Sequence, residues 1–123
     1  MPVPTNVLAG LRILLVEDDY LIVDEMAREF SSRGAEIIGP VARVQDALEL
    51  IAKTDRIDAA VLDINLRGEM AFPVADALIA RGVPFVFATG YDDATIPQPY
   101  AKIKRCEKPV DPLKIAAALF SQI

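Results

Sequence analysis

Short apolar runs alternate with amphipathic stretches five times along this chain. The apolar runs are Leu11–Val16, Ala35–Gly39, Ile57–Leu62, Pro84–Ala88 and Ile103–Glu107. Those at 11–16, 57–62 and 84–88 are nearly continuous, the pattern of parallel strands covered on both faces. Helical spacing fills the gaps between them. Ile22, Met26 and Phe30 recur every four residues and Gly34 stops them, while Val44, Ala47, Leu48 and Ile51 follow the i, i+3, i+4, i+7 template. Pro73 and Gly82 bracket a third helix. A last one starts at Asp111-Pro112, a cap followed by a proline in the first turn, and carries Leu113, Ala116, Ala117 and Phe120 on one face. Asp93–Tyr100 is the exception, because Pro97 and Pro99 cannot both sit inside a regular helix; it predicts a short or irregular one. The pattern is (βα)₅, an α/β chain whose parallel sheet has helices on both faces.

Composition narrows the functions this frame can carry. The chain has 123 residues, enough for one domain with a proper core, and neither repeats nor a linker divide it. Its net charge is −5 and its thirteen basic residues are scattered, so no basic patch for nucleic acid is expected. No apolar run reaches the roughly 18 residues of a membrane span, and Met1–Gly10 lacks the form of a signal peptide. A single cysteine, Cys106, fits a reducing cytoplasm and reads as a small buried hydrophobe. There is no histidine. Any histidine base, zinc ligand or phosphohistidine must come from another molecule.

The polar residues that interrupt the pattern fall at the ends of strands. Glu17, Asp18 and Asp19 close the first, Asp63 the third, Thr89 the fourth and Lys108 the fifth. Open α/β sheets bind ligands outside the carboxyl ends of their strands. With strand order 2-1-3-4-5 the first and third strands are neighbours, and Asp18 faces Asp63. Two carboxylates about 4 Å apart repel by roughly 4 kcal/mol at an effective dielectric of about 20. A hard divalent cation relieves that repulsion, and oxygen ligands suit Mg²⁺ rather than zinc. A carboxylate beside Mg²⁺ can attack phosphorus, with the Lys108 ammonium and the Thr89 hydroxyl left to meet charge on the phosphoryl oxygens. Asp19, read alone, is a helix N-cap.

The strings Ile13-Leu14-Leu15-Val16-Glu17-Asp18-Asp19, Val61-Leu62-Asp63-Ile64-Asn65-Leu66, Ala88-Thr89-Gly90 and Lys108-Pro109 resemble the receiver domain of two-component response regulators, in order and in spacing over residues 11–122. The resemblance implies a flavodoxin-like doubly wound sheet, with residues 1–10 an N-terminal extension and 11–123 the receiver domain. It makes Asp63 the phosphoacceptor and Glu17 and Asp18 the acidic pair at Mg²⁺, with Asn65 adding its backbone carbonyl. Thr89 becomes the switch hydroxyl, Lys108 the phosphate-binding lysine, and Pro109 a candidate cis proline. Pro84-Phe85-Val86-Phe87-Ala88-Thr89-Gly90-Tyr91 is further similar to the signature of the stand-alone "FAT GUY" subgroup of alphaproteobacteria. One position departs from the family: Arg105 stands where receivers carry a switch aromatic, which makes Tyr91 the candidate in its place.

The implied role is that of a phosphoacceptor protein, not an enzyme. Its donor would be a sensor histidine kinase or a histidine phosphotransfer protein, and an unknown downstream protein would receive the signal, since no output domain is read in the chain. The subgroup implies a stress phosphorelay, as responder or phosphate sink. Three other readings use parts of the pattern. A receiver-like interaction module needs no phosphorylation, but the Asp18, Asp63, Lys108 set counts against it. A haloacid-dehalogenase-type phosphatase requires Asp-x-Asp after its first strand, where this chain has Glu17 at the nucleophile's place. A flavodoxin-like cofactor binder needs a Gly-rich loop where Glu17-Asp18-Asp19 would repel a phosphate.

Overall fold

In the computed structural model the described residues are 8–89, 96–107, 111, 114 and 117–119, with Thr89, Gln98 and Glu107 described by their backbone. The main sheet contains β1 (Arg12–Val16), β2 (Glu36–Val41), β3 (Ala59–Asp63), β6 (Phe85–Thr89) and β7 (Arg105–Glu107). These strands run parallel in the order β2-β1-β3-β6-β7, which is the 2-1-3-4-5 order of the sequence reading. Between them lie the helices α1 (Tyr20–Ser32), α2 (Val44–Lys53) and α3 (Phe72–Ala80). Residues 65–70 form an antiparallel hairpin of two-residue strands, β4 (Asn65–Leu66) and β5 (Glu69–Met70), which the sequence pattern does not predict.

Alternation along the strands divides the core in two. Ile13, Leu15, Ala59, Val61, Val86 and Ala88 pack with Val23, Met26 and Phe30 of α1 and with Leu119. Leu14, Val16, Ala60, Leu62, Phe85 and Phe87 pack with Val44, Ala47 and Ile51 of α2 and with Val74, Ala75 and Leu78 of α3. β3 is buried along its whole length, which is why its sequence shows no polar face. Leu8 is fully buried in the α1-side cluster, and its N–H donates to the Arg33 carbonyl at 3.0 Å. Gly34 lets this segment approach: its φ is +96°, and a Cβ there would sit 2.8 Å from the Ala9 Cα.

Element edges shift for local reasons. The second strand runs past Gly39 to Val41 through a cis Gly39–Pro40 bond, where the pairing with β1 slips between Leu14 and Val16. Ile57 is buried but precedes β3; the Asp58 N–H donates to the Arg12 carbonyl at 2.8 Å, and the Arg12 N–H is taken by the Asp58 carboxylate at 2.8 Å. Ile103 bonds back to the Tyr100 carbonyl at 3.1 Å, so the fifth strand of the sheet begins at Arg105. Pro73 lies in the first turn of α3, and Gly82 follows its end. Within the Asp93–Tyr100 stretch, Gln98–Tyr100 is a 3₁₀ turn. Lys114 and residues 117–119 are helical in the predicted last helix. No helix among the described residues is long and apolar enough to cross a membrane.

Candidate metal centre

β1 and β3 deliver the acidic residues to one edge. The register sets Val16 beside Leu62, so the next residues, Glu17 and Asp63, leave adjacent strands side by side. Carboxylate oxygens of Glu17, Asp18 and Asp63 all lie within 4.8 Å of one another. Glu17 and Asp63 are only 4% and 3% exposed, while Asp18 is partly open to solvent. Burial of like charges at this spacing is unfavourable unless a cation or hydrogen bonds offset it.

Backbone donors hold the cluster in shape. The Asp19 N–H donates to Glu17 Oε1 at 3.0 Å and the Arg67 N–H to Asp18 Oδ2 at 2.9 Å. The Asn65 N–H points at Asp63 Oδ1 over 3.4 Å. Arg67 reaches Asp18 because it adopts φ 55°, a left-handed conformation unusual outside glycine. The Asn65 side chain fixes that turn by accepting from the Gly68 N–H at 2.7 Å. Asp19 belongs to the fold instead of the cluster: its Oδ1 accepts from the Leu21 and Ile22 N–H groups at 3.0 and 3.2 Å, capping α1.

Among the described residues the donor set is three carboxylates. Such hard oxygen donors fit Mg²⁺, which takes one or two carboxylates and completes its shell with water or phosphate. The Asn65 side chain turns toward Gly68, which leaves its backbone as the part of that residue able to serve an ion. Thr89 ends β6 one residue beyond Ala88, the register partner of Asp63, so its backbone reaches the same edge. Tyr91, Lys108 and Pro109 lie outside the described residues. Arg105 is exposed in β7 beside Phe87, a surface charge. Cys106 is half-buried, not fully buried; desolvation pushes its thiol pKa up, and the Lys114 ammonium draws it partly back. Arg67 is the residue that sequence reasoning missed. Its signal was the Asn65-Leu66-Arg67-Gly68 turn chemistry directly after Asp63.

No family model matches the chain. The structure of SdrG from Sphingomonas melonis Fr1 is 36% identical, with a TM-score of 0.70, and the match covers 89% of this chain and 96% of that one. A response regulator receiver protein from Sinorhizobium medicae WSM419 shares the fold at 20% identity and a TM-score of 0.74, over 94% of this chain and 95% of that one. An uncharacterized transcriptional regulatory protein of Bacillus subtilis, YbdJ, is 26% identical over 86 residues, 68% of this chain and 37% of that protein. The chain therefore spans well under half of YbdJ. With a (βα)₅ sheet of order 2-1-3-4-5, three carboxylates at its edge and a relative matched over nearly its whole length, the chain belongs to the receiver domains of response regulators and has a part in two-component signalling.

Proposed function

We propose that this protein accepts a phosphoryl group on Asp63 in a Mg²⁺-dependent reaction, without itself being an enzyme. The observation that carries the reading is the convergence of Glu17, Asp18 and Asp63 within 4.8 Å at the sheet edge. Glu17, Asp18 and Asp63 would hold the ion with the Asn65 carbonyl. When bound, Mg²⁺ would neutralise charge on the phosphoryl oxygens and on the acidic cluster. An Asp63 carboxylate oxygen attacks phosphorus, the bond from phosphorus to the donor's imidazole nitrogen breaks, and an acyl phosphate remains. Backbone bonds to Glu17, Asp18 and Asp63 keep the three groups oriented, so the reacting geometry is prepared beforehand. Lys108 meets the phosphoryl charge, and the Thr89 hydroxyl reads it with a hydrogen bond.

The donor is a sensor histidine kinase or a histidine phosphotransfer protein, because the chain has no histidine of its own. Its Pro84–Tyr91 signature supports the stand-alone FAT GUY subgroup, and with it a cytoplasmic stress phosphorelay in which the protein is a responder or a phosphate sink. Acetyl phosphate with Mg²⁺, followed by intact mass, tests the core of the proposal. Wild type should gain one phosphoryl mass and Asp63→Asn none. Equal labelling of the two proteins would show that the acceptor lies elsewhere.

A further inference from the structure

A second chain of contacts starts just behind the acidic edge. Phe87 in β6 is the register neighbour of Leu62, one residue before the Asp63–Ala88 pair. Its ring meets Phe72, the first residue of α3, edge to face at 6.3 Å and 84°. Phe72 in turn stacks on Tyr100, with centroids 4.7 Å apart and planes at 16°. The Tyr100 hydroxyl donates to Asp76 Oδ1 at 2.7 Å. Residues 72 and 76 are one turn apart on the same helix face, so one tyrosine grips α3 twice. The Asp76 carboxylate raises the pKa of the Tyr100 hydroxyl, keeping it protonated as the donor.

The grip joins two unlike parts of the molecule. Phe87 is fully buried, whereas Phe72 and Tyr100 are half-buried and Asp76 is exposed. Among the described residues, 96–103 are also held by turn bonds from the Tyr100 N–H to the Pro97 carbonyl and from the Ile103 N–H to the Tyr100 carbonyl, and by partly buried Ile96 and Ile103. A segment whose described side chains are half-buried or exposed opens at lower cost than the core strands. Its most specific tie leads, ring by ring, to the strand whose end flanks Asp63.

We propose that Tyr100 is a positioning residue for the phosphorylated state: through Phe72 and Phe87 it links docking of residues 96–103 on α3 to the conformation of β6 beside Asp63. The inference rests on Asp63 being the phosphoacceptor. A stacked aromatic pair is worth about two- to tenfold in an equilibrium beyond the area it buries. Linkage makes the coupling reciprocal, so loosening Tyr100 must change affinity at the acidic site by the factor with which site occupancy changes docking.

Beryllofluoride with Mg²⁺ serves as the phosphoryl probe. Its affinity is measured by calorimetry, and amide exchange across 96–103 is followed with and without it. In wild type the probe should alter protection across 96–103. Tyr100→Ala should abolish that response and shift beryllofluoride affinity by about three- to tenfold. Tyr100→Phe keeps the stack and should restore most of the response, with a small residual shift. Asp76→Ala should match that residual shift, and the Tyr100→Phe, Asp76→Ala double variant should go no further, since both remove one bond. These two mild variants decide the matter even where Tyr100→Ala is poorly folded. Wild-type affinity and exchange response in a folded Tyr100→Ala, or the lack of any residual shift in both mild variants, would overturn the inference while leaving Asp63 as acceptor. Failure of the wild type to bind the probe would overturn both.

Discussion

The centre of the sheet edge and its flank are built in opposite ways. At the centre, Glu17, Asp18 and Asp63 leave two strands whose residues are buried to their last positions, and backbone N–H groups fix the carboxylates. On the flank, β7 is a three-residue edge strand, and in residues 96–103 the half-buried Tyr100 stacks on α3 and bonds to it. The difference follows from what each region must tolerate. Carboxylates within 4.8 Å push one another apart, so only an over-determined backbone keeps them together. A region that reports on the state of that cluster needs the reverse, an arrangement whose two forms differ little in free energy.

The most damaging way to break this division is at Phe87, which belongs to the rigid core and also starts the aromatic chain. Phe87→Ala should cost about 3–5 kcal/mol by urea denaturation, because a fully buried ring leaves a cavity the sheet cannot close. A loss under about 1 kcal/mol would mean that the centre is softer than its burial implies. Charge at the centre gives a smaller effect with a distinctive sign. In chelator, Asp18→Asn removes repulsion and should melt slightly above wild type. With saturating Mg²⁺ the order should reverse, and calorimetry should show about tenfold weaker Mg²⁺ binding, some 1.4 kcal/mol. An equal melting gain from Mg²⁺ in both proteins would remove Asp18 from the metal site. Asp19→Ala sharpens the contrast between neighbours. It should cost about 1 kcal/mol as a lost N-cap while leaving Mg²⁺ affinity within about twofold. A large loss of Mg²⁺ affinity would place Asp19 at the ion. The smallest effect concerns Cys106, whose raised thiol pKa should make it alkylate more slowly than a free small thiol at neutral pH.

The sequence was most legible where one physical signal dominated. Nearly continuous apolar runs marked β1, β3 and β6, and carboxylates at the ends of the first and third strands marked the cluster. It was least legible in residues 65–70. Two-residue strands have no period to read, and the hairpin depends on the Asn65–Gly68 bond and on Arg67 adopting a positive φ. Boundaries shifted where a strand N–H met a side chain, as Arg12 meets the Asp58 carboxylate, or where a turn bond intervened, as at Ile103. The second apolar run ends at Gly39; the strand instead continues to Val41 through an irregularity that a pattern of types does not encode. Phe72 and Tyr100 are twenty-eight positions apart in sequence, and only the fold brings their rings together.

Leu8 carries a practical consequence for anyone handling this protein. Its side chain fills the core beneath α1, and Gly34 is shaped to let its neighbour Ala9 lie close. Trimming the chain to the first strand would therefore leave an open hole beside Phe30 and Met26, together with an unanswered carbonyl at Arg33. Affinity tags, fluorescent fusions and cleavage sites belong upstream of Leu8, with a spacer that leaves residues 8–10 free to seat.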